Sequence, residues 1–170
     1  MSAENLLNSF LETTQDEGQF ETEYKLCPEL DAAPATVKKY DVKAGTYTNK
    51  QGEEAAWCNL TLTWDVDSQE AREAIGRDEV NVRQAIMLSF EKGTTKLSKT
   101  DNLALGRLLK IWDLDASGIS LKDLLESLIG QYAVVKVAHR PMIGKDKAQL
   151  ADDEGNPRFA AEVVAVGKPA

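Results

Sequence analysis

The chain has 170 residues, an apolar fraction of 42%, a charged fraction of 28% and a formal net charge of −8. That length suits one domain, which buries roughly 70% of its unfolded surface and needs neither disulfides nor a metal to hold a core. No apolar run reaches the ~18 residues of a membrane span, residues 1–7 lack the basic-then-apolar pattern of a secretory leader, and two cysteines with one histidine exclude a disulfide framework and a His-rich metal cluster. The expected compartment is the reducing cytoplasm, with no membrane partner.

Residues 3–12 place Leu6, Leu7, Phe10 and Leu11 at the spacing of a short amphipathic helix. Residues 15–23 are acidic, contain Gly18 and read as irregular, and Pro28 and Pro34 bracket an extended segment. Residues 1–34 carry a net charge of −7 and are expected to form an acidic N-terminal arm with a short helix. Residues 35–170 are nearly neutral as a whole and are expected to form a single domain. Within them the charge alternates, from +3 over residues 35–50 to −6 over 51–79, +4 over 80–150 and −2 over 151–170. An acidic chain disfavours nonspecific polyanion binding, and this unevenness weakens that argument.

A first strand is predicted over residues 36–43, followed by a polar loop over 44–52 carrying Tyr47, Asn49 and Lys50. The clearest signal follows. Cys58, Leu60, Leu62, Trp64 and Val66 alternate with Asn59, Thr61, Thr63 and Asp65, the period of a half-buried strand. Asp67 and Glu70 have the spacing of a capping box, opening a short helix that ends near Gly76. Residues 80–90 predict a third strand, with Val82, Gln84, Ile86, Leu88 and Phe90 on one face and Asn81, Arg83, Ala85, Met87 and Ser89 on the other. Helices are predicted over 100–112 and 120–130, the second opened by Ser120 with Asp123 and stopped by Gly130. Residues 131–140 predict a fourth strand, 141–157 a polar loop and 158–166 a fifth strand. The fold class is therefore mainly β with α: a five-stranded OB-like barrel with a helical insertion between strands 3 and 4. An antiparallel sheet with packed helices reads similarly.

No catalytic signature stands out. Residues 113–118 resemble the start of a calcium loop, but the position that should hold a bidentate Glu is Leu124, and a turn held by Asp and Ser side chains accounts for them. Asp65 and Asp67 end a strand and begin a helix without a phosphate-cradling loop beside them. His139 sits between Ala138 and Arg140 with no nucleophile or orienting carboxylate nearby in sequence. The expectation is a non-enzyme without cofactor or metal.

The candidate binding residues are aromatic, cationic and amide side chains. Tyr40, Lys43, Tyr47 and Lys50 surround the first loop. Trp57 and Asn59 share the outer face of strand 2 with Thr61 and Thr63, and Arg83 lies on the matching face of strand 3. Lys136 and Arg140 lie on strand 4, and Lys145 and Lys147 in the loop after it. Aromatic rings stack on bases and interleaved cations track a phosphate backbone. In an OB-fold, strands 2 and 3 with the loops after strands 1 and 4 form the ligand surface.

Several stretches carry a resemblance. They are Ala3-Glu4-Asn5-Leu6-Leu7-Asn8, Leu60-Thr61-Leu62-Thr63-Trp64-Asp65 and Val82-Arg83-Gln84-Ala85-Ile86. Asn102-Leu103-Ala104-Leu105-Gly106-Arg107-Leu108 and Val135-Lys136-Val137-Ala138-His139-Arg140 complete the set. Spread over most of the chain, they resemble small phage-encoded single-stranded-DNA-binding proteins of the OB-fold class. The resemblance implies sequence-tolerant binding of single strands during phage DNA replication and recombination in the host cytoplasm. Phage replication or recombination proteins are implied as further partners, and a homo-oligomer is compatible with it. Such proteins commonly carry an acidic C-terminal tail. Here the acidic stretch is N-terminal, where it is expected to cover the basic surface or recruit a partner. The competing readings are a protein-interaction or virion-structural module and a metal-dependent enzyme using Asp65, Asp67, Asp113 or Asp115.

Overall fold

The computed structural model describes residues 2–20 and 25–170. The elements run α1 (Ala3–Glu12), β1 (Leu30–Thr48), β2 (Glu54–Val66), α2 (Gln69–Ile75), β3 (Asn81–Leu88), α3 (Leu103–Ile111), α4 (Leu121–Leu128), β4 (Tyr132–Pro141) and β5 (Phe159–Gly167). The protein is mainly β, and its five strands close on themselves in the order β1-β2-β3-β5-β4, with β4 returning to β1. All pairings are antiparallel except β3 with β5, which meet in parallel at Arg83 and Glu162.

The inward face of β2 is the centre of the core. Leu60, Leu62 and Trp64 are fully buried, flanked by Val37 of β1 and by Val82 and Ile86 of β3. Trp64 explains the lone polar residue on the inner side of β3, because its indole N–H donates to Gln84 Oε1 at 2.9 Å. Its ring lies 6.0 Å from that of Trp112, at the end of α3. Leu105 and Leu108 of α3 and Leu124, Leu125 and Leu128 of α4 complete this core. Asn102 anchors the start of α3. Its amide nitrogen donates to the Ser89 and Ser98 carbonyls at 2.9 and 2.7 Å, and its Oδ1 accepts the Ser89 N–H at 2.8 Å. Within the run over residues 102–108, Asn102, Leu105 and Leu108 therefore hold the fold together.

Three departures from the sequence-based expectation concern element ends and caps. First, β1 and β2 are longer than predicted, and the polar loop over 44–52 shrinks to a turn over 49–53. Residues 44–48 pair with 54–58, but β3 stops at Leu88 opposite Cys58, so most of this ribbon has no third strand. With little to bury on either face, it lacks the apolar alternation by which strands are recognised. Second, β1 begins at Leu30, so residues 30–36 already pair with β4. Third, α2 is capped by Ser68, whose hydroxyl accepts the Ala71 N–H, while the Asp67 carboxylate binds the Arg72 guanidinium at 2.9 Å.

The tight turns over residues 49–53, 144–148 and 152–156 share one geometry. In each, the first N–H donates to the fifth carbonyl and the fourth N–H returns to the first carbonyl. The fourth residue is left-handed: Gly52 at φ 78°, Gly155 at φ 84° and Lys147 at φ 62°. This is a three-residue hairpin loop that calls for glycine at that position. Lys147→Gly is expected to stabilise the protein by about 0.5–1 kcal/mol, the left-handed penalty less the added chain entropy. A raised urea midpoint with an unchanged slope would register it.

α1 buries none of its residues, and Leu6, Leu7, Phe10 and Leu11 are exposed. Among the described residues no helix is long and apolar enough to cross a membrane.

Candidate nucleic-acid interface

Because Cys58, Leu60, Leu62, Trp64 and Val66 point inward, Trp57, Asn59, Thr61, Thr63 and Asp65 lie on the outer face, where Thr63 is itself buried. Strand register then decides their neighbours. Thr63 stands opposite Lys39 on β1 and Arg83 on β3, Thr61 opposite Asp41 and Ala85, and Asn59 opposite Lys43 and Met87. Three strands thus build one outer wall with Lys39 and Arg83 on one rung and Lys43 on another. Met87 is 71% exposed beside Asn59, an apolar surface in the middle of a polar wall.

The wall continues along the ribbon. Trp57 stands opposite Gly45 and is half-buried. The Nε1, Cε2 and Cζ2 atoms of its indole occupy the space above Gly45, where a Cβ would lie 2.7–2.8 Å from them. Tyr47 follows two residues on from Gly45 on the same face and is exposed, and Lys50 is exposed at the tip. Asn49 Oδ1 accepts the Gln51 and Glu53 N–H groups at 3.0 and 2.9 Å, closing that tip.

Tyr40 is placed differently from the sequence expectation. It stands opposite Leu62, on the core side, and packs half-buried against the core. The cause is a register irregularity between Val37 and Lys39. One extra residue in a strand inverts the facing of everything beyond it. The same irregularity turns Lys39, Asp41 and Lys43 to the outer wall, which is why Lys39 escaped the sequence reading. Met87 was legible as outward-facing, but its apolar character gave no reason to select it.

Of the remaining candidates, Lys136 and Arg140 are exposed on β4, opposite Ala165 and Ala160 of β5. In the closed order β4 is separated from β2 by β1 and from β3 by β5, so these two lie on another arc of the sheet. Lys145 and Lys147 are exposed on the 144–148 turn between β4 and β5.

At its Arg83 end the wall opens into a groove of about 1160 Å³ between the segment after α2 and the β4–β5 connection. Six cationic side chains line it, including Lys39, Arg83 and Arg158, against the acids Asp78, Glu79, Asp152 and Glu162. Phe159, also lining it, adds a partly exposed ring. The positive excess is small, and Glu79 is already paired with Lys38. Glu162 is the register partner of Arg83, which sets this groove acid beside the wall's own Asp41 and Asp65 in its effect on a bound polyanion. If a polyanion follows this path, Glu162→Gln is expected to tighten oligonucleotide binding about fivefold at low salt, from roughly 1 kcal/mol of repulsion removed. An unchanged affinity would put Glu162 off the path.

No protein-family model matches the chain, and no curated protein matches it.

Outside the wall, several polar side chains brace the fold. His139 Nε2 lies 2.8 Å from the Cys27 carbonyl, and the His139 N–H donates to Glu29 Oε2 at 3.3 Å, which fastens the segment before β1 to β4. Cys27 and Cys58 are free and buried. Burial pushes both thiols up, and the charge of Glu70 raises Cys27 further. The loop after α3 is a turn in which Asp115 Oδ1 accepts the Ser117 N–H at 2.8 Å. That amide holds the Asp115 carboxyl below its usual range. Among the described residues no three His, Cys, Asp or Glu side chains converge in a metal-holding group.

Proposed function

We propose that this chain is a sequence-tolerant single-stranded-DNA-binding protein with an OB-like fold, and that the outer wall of β1, β2 and β3 is its binding surface. The closed order β1-β2-β3-β5-β4, with α3 and α4 between β3 and β4, supports the OB-like assignment. The observation that carries the functional reading is the register that puts Lys39, Lys43 and Arg83 on one face with Trp57, Asn59 and Met87.

Each group has a task that fits an unpaired strand. Lys39, Lys43 and Arg83 meet phosphates, and a base stacks on Trp57, a contact worth about 1–3 kcal/mol. Met87 gives an apolar floor for a neighbouring base, and Asn59 and Thr61 supply hydrogen bonds that do not depend on base identity. No step in this scheme needs catalysis or a cofactor. The resemblance to phage proteins supports a role in phage DNA replication or recombination, in the host cytoplasm.

The test is a gel shift of the full chain with oligo(dT) and with duplex DNA at two salt concentrations. The single strand should shift, with log K falling by about 0.7 per phosphate contact for each unit of log salt. Failure to shift it at low salt would sink the reading. A protein-interaction module is the second reading, favoured by the exposed apolar side chains of α1. It predicts co-purification with another protein and no retention of oligonucleotide.

A further inference from the structure

We propose that Gly45 is the positioning residue that seats the Trp57 indole as the base-stacking platform, an inference that rests on the single-strand reading above. Glycine usually marks a left-handed backbone, as at Gly52 and Gly155. Gly45 has no such φ, and it lies within β1, where glycine weakens a strand. The requirement for it is spatial: the atoms nearest to a Cβ built there are Cζ2, Cε2 and Nε1 of Trp57, at 2.7–2.8 Å, closer than a real Cβ comes to a ring.

The location gives this contact its consequence. Trp57 lies on the part of the ribbon that β3 does not reach, because the β2–β3 pairing ends at Cys58 and Leu88. A two-stranded ribbon is marginal in isolation, and an indole standing on it would be free to change rotamer. Laid over Gly45, the ring is held in place while part of it stays open to solvent. Lys43 and Tyr47 flank Gly45 on the same face of β1, each about 6.6 Å away along the strand. A base on Trp57 would then have a cation on one side and a second ring on the other.

A ring over a strand glycine also stabilises a sheet with no ligand involved. A double-mutant cycle on affinity separates that role from positioning. Oligo(dT) affinity is measured by fluorescence anisotropy of a labelled strand for the wild type, Gly45→Ala, Trp57→Ala and the double variant. Tryptophan emission is recorded alongside, with Trp57→Phe as the reference that subtracts Trp64 and Trp112. Gly45→Ala should alter the Trp57 contribution in the free protein and weaken binding about tenfold, as expected for one displaced stack. In the Trp57→Ala background the same change should leave affinity unaltered, and a Gly45→Ala circular dichroism spectrum and urea midpoint equal to the wild type's show that the loss is not one of ribbon structure. Phenylalanine at position 57 should recover part of the affinity lost in Gly45→Ala, because the smaller ring clears the added methyl. The proposal is overturned if Gly45→Ala binds like the wild type, or if it costs as much without Trp57 as with it. Absence of binding by the wild type would instead remove the single-strand reading, and the platform with it.

Discussion

Trp64→Ala is expected to destabilise the protein by about 3–5 kcal/mol, a large share of the 5–15 kcal/mol typical of a domain. Trp64 is fully buried, between Val37 and Val82 on the flanking strands, and its ring meets Trp112 at the end of α3. Removing the indole opens a cavity where the sheet meets the helices. It also leaves Gln84 Oε1 without its donor on the inner face. Trp64→Phe keeps much of the buried area but still strands Gln84, so an intermediate loss of roughly 1–3 kcal/mol is expected. Urea unfolding followed by circular dichroism gives both values. An alanine variant within 1 kcal/mol of the wild type would contradict this account of the core.

The second large effect is on binding. Replacing Lys39, Lys43 and Arg83 together by alanine should lower oligo(dT) affinity more than tenfold at low salt. It should also flatten the slope of log K against log salt by about 2, three contacts at roughly 0.7 each. All three are exposed and have no ion pair among the described residues, so stability should change by less than about 0.5 kcal/mol per site. Lys136→Ala with Arg140→Ala is the control, because β4 lies on another arc of the closed sheet. A loss of slope from that pair equal to the loss from the triple variant would move the strand's path to β4 and β5.

These predictions differ in how far the sequence alone supports them. The nine-residue alternation from Cys58 to Val66 identified Trp64 as a core residue before any partner was known. Leu105 and Leu108 of α3, also buried, sit at helical spacing, which shows in a short window. Gln84 was legible as an inward polar residue, but the indole that satisfies it lies 20 residues away. The binding wall was legible in part. Trp57, Asn59 and Arg83 follow from alternation within single strands, whereas Lys39 and Tyr40 exchanged faces at an irregularity that leaves no mark in composition.

By itself the sequence determined the order of the strands and helices and which side of β2 and β3 is buried. Those properties depend on side chains within a turn or two of one another, and periodicity reports them directly. Only the tertiary structure decided that β1 and β2 continue as an unsupported ribbon, that Tyr40 turns inward, and that Trp57 rests on Gly45. It likewise decided that Lys39, Thr63 and Arg83 share a rung. Register pairs residues about 20 positions apart, and a single extra residue reverses which face each one presents. That information belongs to the pairing of strands and not to any one of them.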